Sequence, residues 1–337
     1  MPEFSVIIPS YNHAKYIKTA IESVLSQSLG DLELIVIDDG SSDNSLEIIS
    51  QFTDPRLRLF RQPNQGAHEA INRGIRVAAG TYISILNSDD VYETSRLQKI
   101  KECFVANPNA GLVSSYINLI DSNGRLLGIK EGYKSANPWL LDLPEKSFRG
   151  GENLQKALLA ENYIATTSNF AFLKKWFDAV GPFRPLRYAH DWDFALRIAR
   201  QTSIHLIPEP LLNYRVHATN TIRENQSAMV FEICWCLAVH LPRYFVGDFA
   251  LGLDSFSDVE QLLHSIYLFG VDKVLSIMLL QRLSENDDLS LALLDAGNPL
   301  RAKYVDFISR ELNKNSPAPQ PSSLRDSLSA WWNRLGK

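Results

Sequence analysis

Cysteine is scarce in this 337-residue chain, with Cys103, Cys234 and Cys236 the full complement. Three cysteines make no disulfide framework, and the Cys234-Trp-Cys236 spacing inside an apolar run is not that of a zinc site. A basic excess is also missing. Lysine and arginine total 34 against 38 acidic residues, a net charge of -4, which excludes a surface built to track a nucleic-acid backbone. A local basic groove for a diphosphate remains compatible with that balance. No uncharged stretch of about 18 residues occurs, so no transmembrane helix is expected. The opening Met1-Pro2-Glu3 lacks the basic start and long apolar segment of a secretory signal. Thiol usage and the missing leader predict a cytoplasmic protein. A glycine-rich phosphate turn is absent after the first apolar strand, which runs into Pro9-Ser10-Tyr11-Asn12 and so disfavours a dinucleotide dehydrogenase.

What is present is an ordinary globular composition, 45% hydrophobic, enough for one large or two smaller packed domains. Short β-branched runs at Ser5–Ile8, Glu33–Ile37, Leu57–Phe60, Tyr82–Leu86 and Gly111–Ile117 alternate with helical patterns, which predicts a mostly parallel α/β sheet. Ile17, Ala20, Ile21, Val24 and Leu25 mark the apolar face of the first helix; Ser45–Gln51, Ala67–Ala79 and Ser95–Ala106 read as the next three. Gly80 is expected to stop the third in a left-handed turn, Thr94 to cap the fourth, and Asn107-Pro108 to end it. Asp121-Ser-Asn-Gly124 predicts a hairpin over Asn118–Leu127, and Gly132–Gly151, rich in Pro, Gly and Trp, reads as a loop. Helices are expected at Glu152–Ala160, Leu173–Val180 and Asp191–Arg200, and strands at Ile204–Ile207 and Leu211–Val216. Beyond Arg223 the pattern is successive amphipathic helices, including one after Ser257 and one through Val271–Leu283. The domain reading is 1–222 for the α/β domain, split into halves 1–117 and 118–222, then a helical appendage over 223–312. Residues 313–337 form a linker and a short amphipathic tail.

Three strand ends carry polar clusters, and open α/β sheets bind ligands outside the carboxyl ends of their strands. Tyr11 is placed to stack on a base, or lies in an ordinary strand-to-helix loop. Asp39, after Leu34-Ile-Val-Ile-Asp38, can accept from a uracil N–H or a ribose hydroxyl, while Asp-Gly also makes a turn and Ser42 or Asp43 can cap the next helix. Asp89 and Asp90 end Tyr82-Ile-Ser-Ile-Leu-Asn-Ser88. A diphosphate beside carboxylates requires a divalent cation, which makes this pair a metal-diphosphate candidate; the alternative is acids preceding a helix.

The ordered set Val-Ile-Ile-Pro-Ser-Tyr-Asn12, Val-Ile-Asp-Asp-Gly-Ser-Ser-Asp43, Asn64-Gln-Gly66, Asn72-Arg-Gly74 and Leu-Asn-Ser-Asp-Asp90 resembles glycosyltransferase family 2 over about residues 4–220. The resemblance implies a GT-A fold, a Rossmann-like twisted sheet flanked by helices, and inverting sugar transfer from a nucleoside-diphosphate donor, UDP in the first instance. It assigns Pro9, Tyr11 and Asp39 to the nucleoside, Asn87 to the ribose or diphosphate, and Asp89 with Asp90 to a Mn²⁺ or Mg²⁺ ion. Asp191 in His190-Asp-Trp-Asp193 matches the family's general base, and helix capping is its alternative role. His217 is a third metal-ligand candidate or a structural histidine, and Arg215 a phosphate contact or an ion-pair partner. Asn87 stands where many relatives carry Asp, and His190 where Glu is common. Thr166–Asn169 reads either as acceptor wall or as turn chemistry. The implied acceptor is a hydroxyl on a glycan, a lipid-linked saccharide or a small molecule, in the setting of surface-polysaccharide assembly. Trp331-Trp332 suits either peripheral contact at the inner membrane face or docking on the chain's own helices. A non-catalytic sugar-nucleotide-binding protein and a nucleotidyltransferase are the competing functions.

Overall fold

Strand β1 (Phe4–Ser10) is buried along its whole length, because its alternate residues face two different helical layers. Phe4, Val6 and Ile8 enter a core shared with Ile17, Ala20, Ile21 and Val24 of helix α1 (Ile17–Leu25). Ile7 points the other way, so close to Gly74 that a Cβ there would come within 2.5 Å of its side chain. A sheet covered on both faces explains the near-continuous apolar runs of its strands. The computed structural model describes residues 1–132, 154, 158, 162–217, 220–221, 224–245, 277–278 and 288–314.

Strands β2 (Leu32–Asp38), β3 (Leu57–Arg61) and β4 (Tyr82–Ile85) join β1 in parallel in the order β3-β2-β1-β4. Helices α2 (Ser45–Ser50) and α3 (Ala67–Val77) make two of the crossovers. After β5 (Val91–Tyr92) and α4 (Arg96–Ala106), the sheet continues through β6 (Ala110–Ile120), β7 (Leu126–Lys130), β8 (Ala171–Leu173) and, beyond helices α5 (Lys175–Val180) and α6 (His190–Ala199), β9 (Ser203–Arg215). The full order is β3-β2-β1-β4-β8-β6-β9-β5, with β7 on β6; β8 is antiparallel to both neighbours and β9 runs parallel to β6. The hairpin at Asp121–Gly124 is present, with Gly124 at φ 86°.

Several local expectations are corrected. Leu173 ends a strand and the helix starts at Lys175, because Phe172 and Leu173 pair with Ile83 and Tyr82. Gly80 is not in the left-handed region; any side chain there would lie 2.6 Å from the Ser5 backbone nitrogen, so close approach between chains demands the glycine. Ser95, not Thr94, is the cap residue of α4, and it makes no side-chain cap bond. The two expected strands at 204–216 are one. Its register jumps from Ile207 opposite Ser115 to Pro210 opposite Tyr116, a bulge that absorbs Pro208 without breaking the strand. The loop over 133–151, the tail over 315–337 and, apart from residues 154, 158, 277 and 278, the helices expected at 152–160, after Ser257 and at 271–283 lie outside the described residues.

Two compact units result, residues 1–132 with 164–220, and 133–163 with 221–337. In the second, helix α7 (Gln226–Phe245) packs on α9 (Pro299–Lys314), with α8 (Asp288–Ala292) between them in sequence. Buried Glu232 meets Arg301 at 3.1 Å and Trp235 donates to the Ser290 carbonyl. Among the described residues no helix is long and apolar enough to cross a membrane.

Candidate active site

The loops leaving β1, β2 and β4 meet at the carboxyl edge of the parallel strands. Asn12 holds a left-handed φ of 54°, a conformation Asn tolerates better than most residues. Its amide N–H donates to Ser41 Oγ and its Oδ1 accepts from the Ser42 N–H. Asp43 accepts the Ala14 N–H and Ser45 Oγ the His13 N–H. The Ser-Ser-Asp run is therefore a fastener for the Tyr-Asn-His loop, and Asp43 also accepts the first N–H of α2. Pro9 is buried in β1 opposite Ile37, whereas Tyr11 is 46% exposed.

Asp39 is 2% exposed and organises a second loop. Its Oδ1 accepts from Gln62 Nε2 and the Gln65 N–H, and its Oδ2 from the Gly66 N–H at 2.8 Å. Gly40 and Gly66 both have positive φ, near 80–90°, which lets the two loops close on each other. His68 lies against Gly66, and its pKa is lowered by burial and then by the neighbouring His190.

His13, Asp89 and His217 converge with ligand atoms all within 4.8 Å of one another. His217 Nε2 is 2.9 Å from Asp89 Oδ2, and His13 Nδ1 is 2.7 Å from Ser88 Oγ, an outer contact of the kind that orients a metal-binding ring. Burial pushes the Asp89 carboxyl up, but the His217 hydrogen bond and the His13 and His217 charges bring it below the usual aspartate value. Two imidazoles and a carboxylate suit Mn²⁺, which accepts nitrogen, better than Mg²⁺, which favours an oxygen shell. Sequence reading missed His13. The sheet rule that singled out Tyr11 applies equally to its neighbour two residues on.

Asp90 is not drawn into that cluster. Its Oδ1 accepts the Arg215 N–H at 2.8 Å and its Oδ2 the Ser168 hydroxyl. Burial first, and the adjacent Asp89 charge second, raise its pKa well above the ordinary value. Arg215 donates Nε to the Asp89 carbonyl. Beneath them Arg96, fully buried and stacked 4.7 Å over Tyr92, donates to Ser115 Oγ and to the Ser168 carbonyl. No motif singled out that arginine.

Thr166–Asn169 links the two halves of the sheet. Thr166 caps a 3₁₀ turn over Thr167–Asn169. Asn87 donates its side-chain amide to Thr166 Oγ1 and its N–H to Ser168 Oγ, while Thr167 Oγ1 is 3.0 Å from His190 Nε2. The other His190 nitrogen contacts the Leu186 carbonyl, so the ring is clamped at the start of α6. Asp191 follows, 7% exposed, with Oδ1 accepting the Trp192 N–H at 2.6 Å. Asp193 does something different: fully buried, it pairs with Arg184 and Arg197, whose guanidinium also holds the Val180, Gly181 and Pro182 carbonyls.

Residues 5–181 match the model of glycosyl transferase family 2. An uncharacterised glycosyltransferase of Nostoc sp. is 30% identical over 256 residues, 73% of this chain and 75% of the relative. A chondroitin synthase of Pasteurella multocida is 30% identical over 67% of this chain, which spans only 22% of that synthase. Among solved structures, residues 1–349 of S. aureus TarS in complex with UDP superpose with a TM-score of 0.55 at 17% identity, over 96% of this chain and 95% of the other. The mannosyltransferase PcManGT of Pyrobaculum calidifontis, in complex with GDP-Man and Mn²⁺, gives 0.53 at 18% identity, over 94% and 88%. At those identities the likeness is one of fold, the GT-A fold. The chain belongs to glycosyl transferase family 2 and is a glycosyltransferase.

Proposed function

We propose that the chain moves a sugar from a UDP-sugar to an acceptor hydroxyl with inversion, with Asp191 as general base and a divalent ion, Mn²⁺ before Mg²⁺, at His13, Asp89 and His217. The observation that carries the reading is that three-residue cluster at the carboxyl edge of the parallel strands. A bound ion there would neutralise charge on the departing diphosphate. Tyr11, the most exposed aromatic of the edge, is the stacking surface for the base, with Pro9 shaping the strand end behind it. The loop that Asp39 holds closed forms the edge of the nucleoside site, and Asn87, half-buried, faces the ribose or diphosphate. Asp90 is assigned to the scaffold that keeps Ser168 and Arg215 in place.

Asp191 removes the proton of the attacking hydroxyl, a contribution of about 10²–10⁴-fold in rate for a well-placed base. The 3₁₀ turn supports this role, since it ties the start of α6 to Asn87 and Asp90 on the donor side. The names of the relatives favour polysaccharide or glycolipid assembly as the setting: chondroitin synthase, hyaluronan synthase and a PGL/p-HBAD biosynthesis glycosyltransferase. Asp191→Asn should bind UDP as the wild type does and lose transfer by at least two orders of magnitude in a radiolabelled-donor assay. Undiminished turnover would remove Asp191 from the mechanism.

A further inference from the structure

Behind the metal cluster lies an open cleft of about 700 Å³ between the start of α1 and the ends of β5, β6 and β9. Tyr16 separates the two. On one side it meets the two imidazoles, His217 stacked at 5.3 Å and His13 edge-on at 6.2 Å, and on the other Arg215 at 4.8 Å and Lys15 at 5.0 Å from the ring centre. Lys15 is exposed and has no carboxylate partner among the described residues. Arg215 spends its hydrogen bonds on the carbonyls of Asp89 and Asp121. Glu93, the acid in the described wall of the cleft, is already taken by Asn213.

The floor is a row of polar groups delivered in register by three strands. Asn118 of β6 stands opposite Asn213 of β9, which stands opposite Val91 of β5. Asn118 donates to Asn213 Oδ1 at 2.9 Å and Asn213 donates to Glu93 at 2.8 Å. The chain of amides is therefore oriented, and the Asn118 carbonyl oxygen is left to accept. Fixed amides beside an aromatic edge match ring hydroxyls, which both donate and accept. Lys15, with no carboxylate partner among the described residues, adds a preference for negative charge at the Tyr16 end of the row.

We propose that this cleft is a second binding site, distinct from the nucleotide site, for a saccharide carrying an anionic group. The ligand lays its hydroxyls along Glu93, Asn213 and Asn118 and its anionic group against Lys15, beside the Tyr16 ring. It goes beyond the transfer reaction and does not need it to hold.

The test is calorimetric titration of the full chain with three probes: a tetrasaccharide alternating glucuronate and N-acetylglucosamine, a neutral glucose tetrasaccharide, and inorganic phosphate. Each is run with and without saturating UDP and Mn²⁺, so failure of the chain to bind UDP leaves the cleft readout intact. The acidic tetrasaccharide should bind one to one in both conditions, roughly tenfold or more tighter than either other probe, and weaken by about tenfold or more in Lys15→Glu and Asn118→Ala. Both variants should retain wild-type UDP affinity. The proposal is overturned if the acidic probe fails to bind or competes with UDP. It is equally overturned if the neutral probe or phosphate binds as tightly, or if both variants bind like the wild type.

Discussion

Replacing Asp90 by asparagine keeps its shape and removes its charge, which separates a scaffold role from a metal-ligand role. In alanine the buried Arg215 N–H and Ser168 hydroxyl both lose their acceptor, at about 1–3 kcal/mol each, so Asp90→Ala should cost about 2–6 kcal/mol of stability. Asparagine keeps Oδ1 for the Arg215 N–H, and its amide can donate to Ser168 Oγ, reversing that bond. It also ends the repulsion with Asp89 that raises the Asp90 pKa. The net cost should stay below about 1.5 kcal/mol. Urea unfolding reads both variants, and UDP binding with Mn²⁺ reads the site. Asp90→Asn is expected to keep Mn²⁺-linked UDP binding within roughly threefold, about 0.6 kcal/mol. A loss as complete as that of Asp89→Asn would make Asp90 a ligand and refute the assignment.

Two further predictions concern the framework. Glu33 joins three strands and the approach to a fourth, accepting from Ser5 Oγ, the Ala79 N–H and Arg58; burial raises its pKa, but those three bonds outweigh it and leave the value lowered. A lowered folded value means the stability is present above the ordinary glutamate range, near ~4.3, and is lost as pH falls through the folded value. Glu33→Gln should therefore be about 1–3 kcal/mol less stable at pH 7, with the gap to wild type closing at acid pH, because the half-exposed Arg58 adds little. A gap independent of pH in denaturant melts would refute this. Asn72 is 2% exposed and bridges α3 to Phe183 by both an accepted and a donated backbone bond. Asn72→Ala leaves two buried backbone groups unpaired and should cost about 2–6 kcal/mol in thermal or urea unfolding; a change under about 1 kcal/mol would show that the bridge is dispensable.

The parallel half was legible because its signal is local: apolar runs of strand length, helical stripes between them, and turn residues at each carboxyl end. Where sequence reading failed, pairing partners were distant. Ala171–Leu173 is three residues long and becomes a strand only because β4 and β6 lie on either side. Ile204–Ile207 and Leu211–Val216 read as two strands because a bulge opposite Tyr116 cannot be seen in one strand alone. The same limit applied to the site. Carboxylates at strand ends were visible, yet which of Asp89 and Asp90 faces the cluster depends on Ser168 and Arg215, residues 78 and 125 positions from Asp90. His13 was within reach of the sheet rule; Arg96, inside a helix and without a carboxylate neighbour in sequence, gave no signal.

The most direct test is the affinity of the wild-type chain for UDP, measured by calorimetry in Mn²⁺ and again in EDTA, alongside His13→Ala, Asp89→Ala and His217→Ala. The account predicts binding that tightens by at least about tenfold with Mn²⁺ in the wild type, a linkage of about 1.4 kcal/mol, and that loses the metal dependence in each variant. UDP binding equally tight in EDTA, or a metal effect surviving in the Asp89 variant, would contradict it.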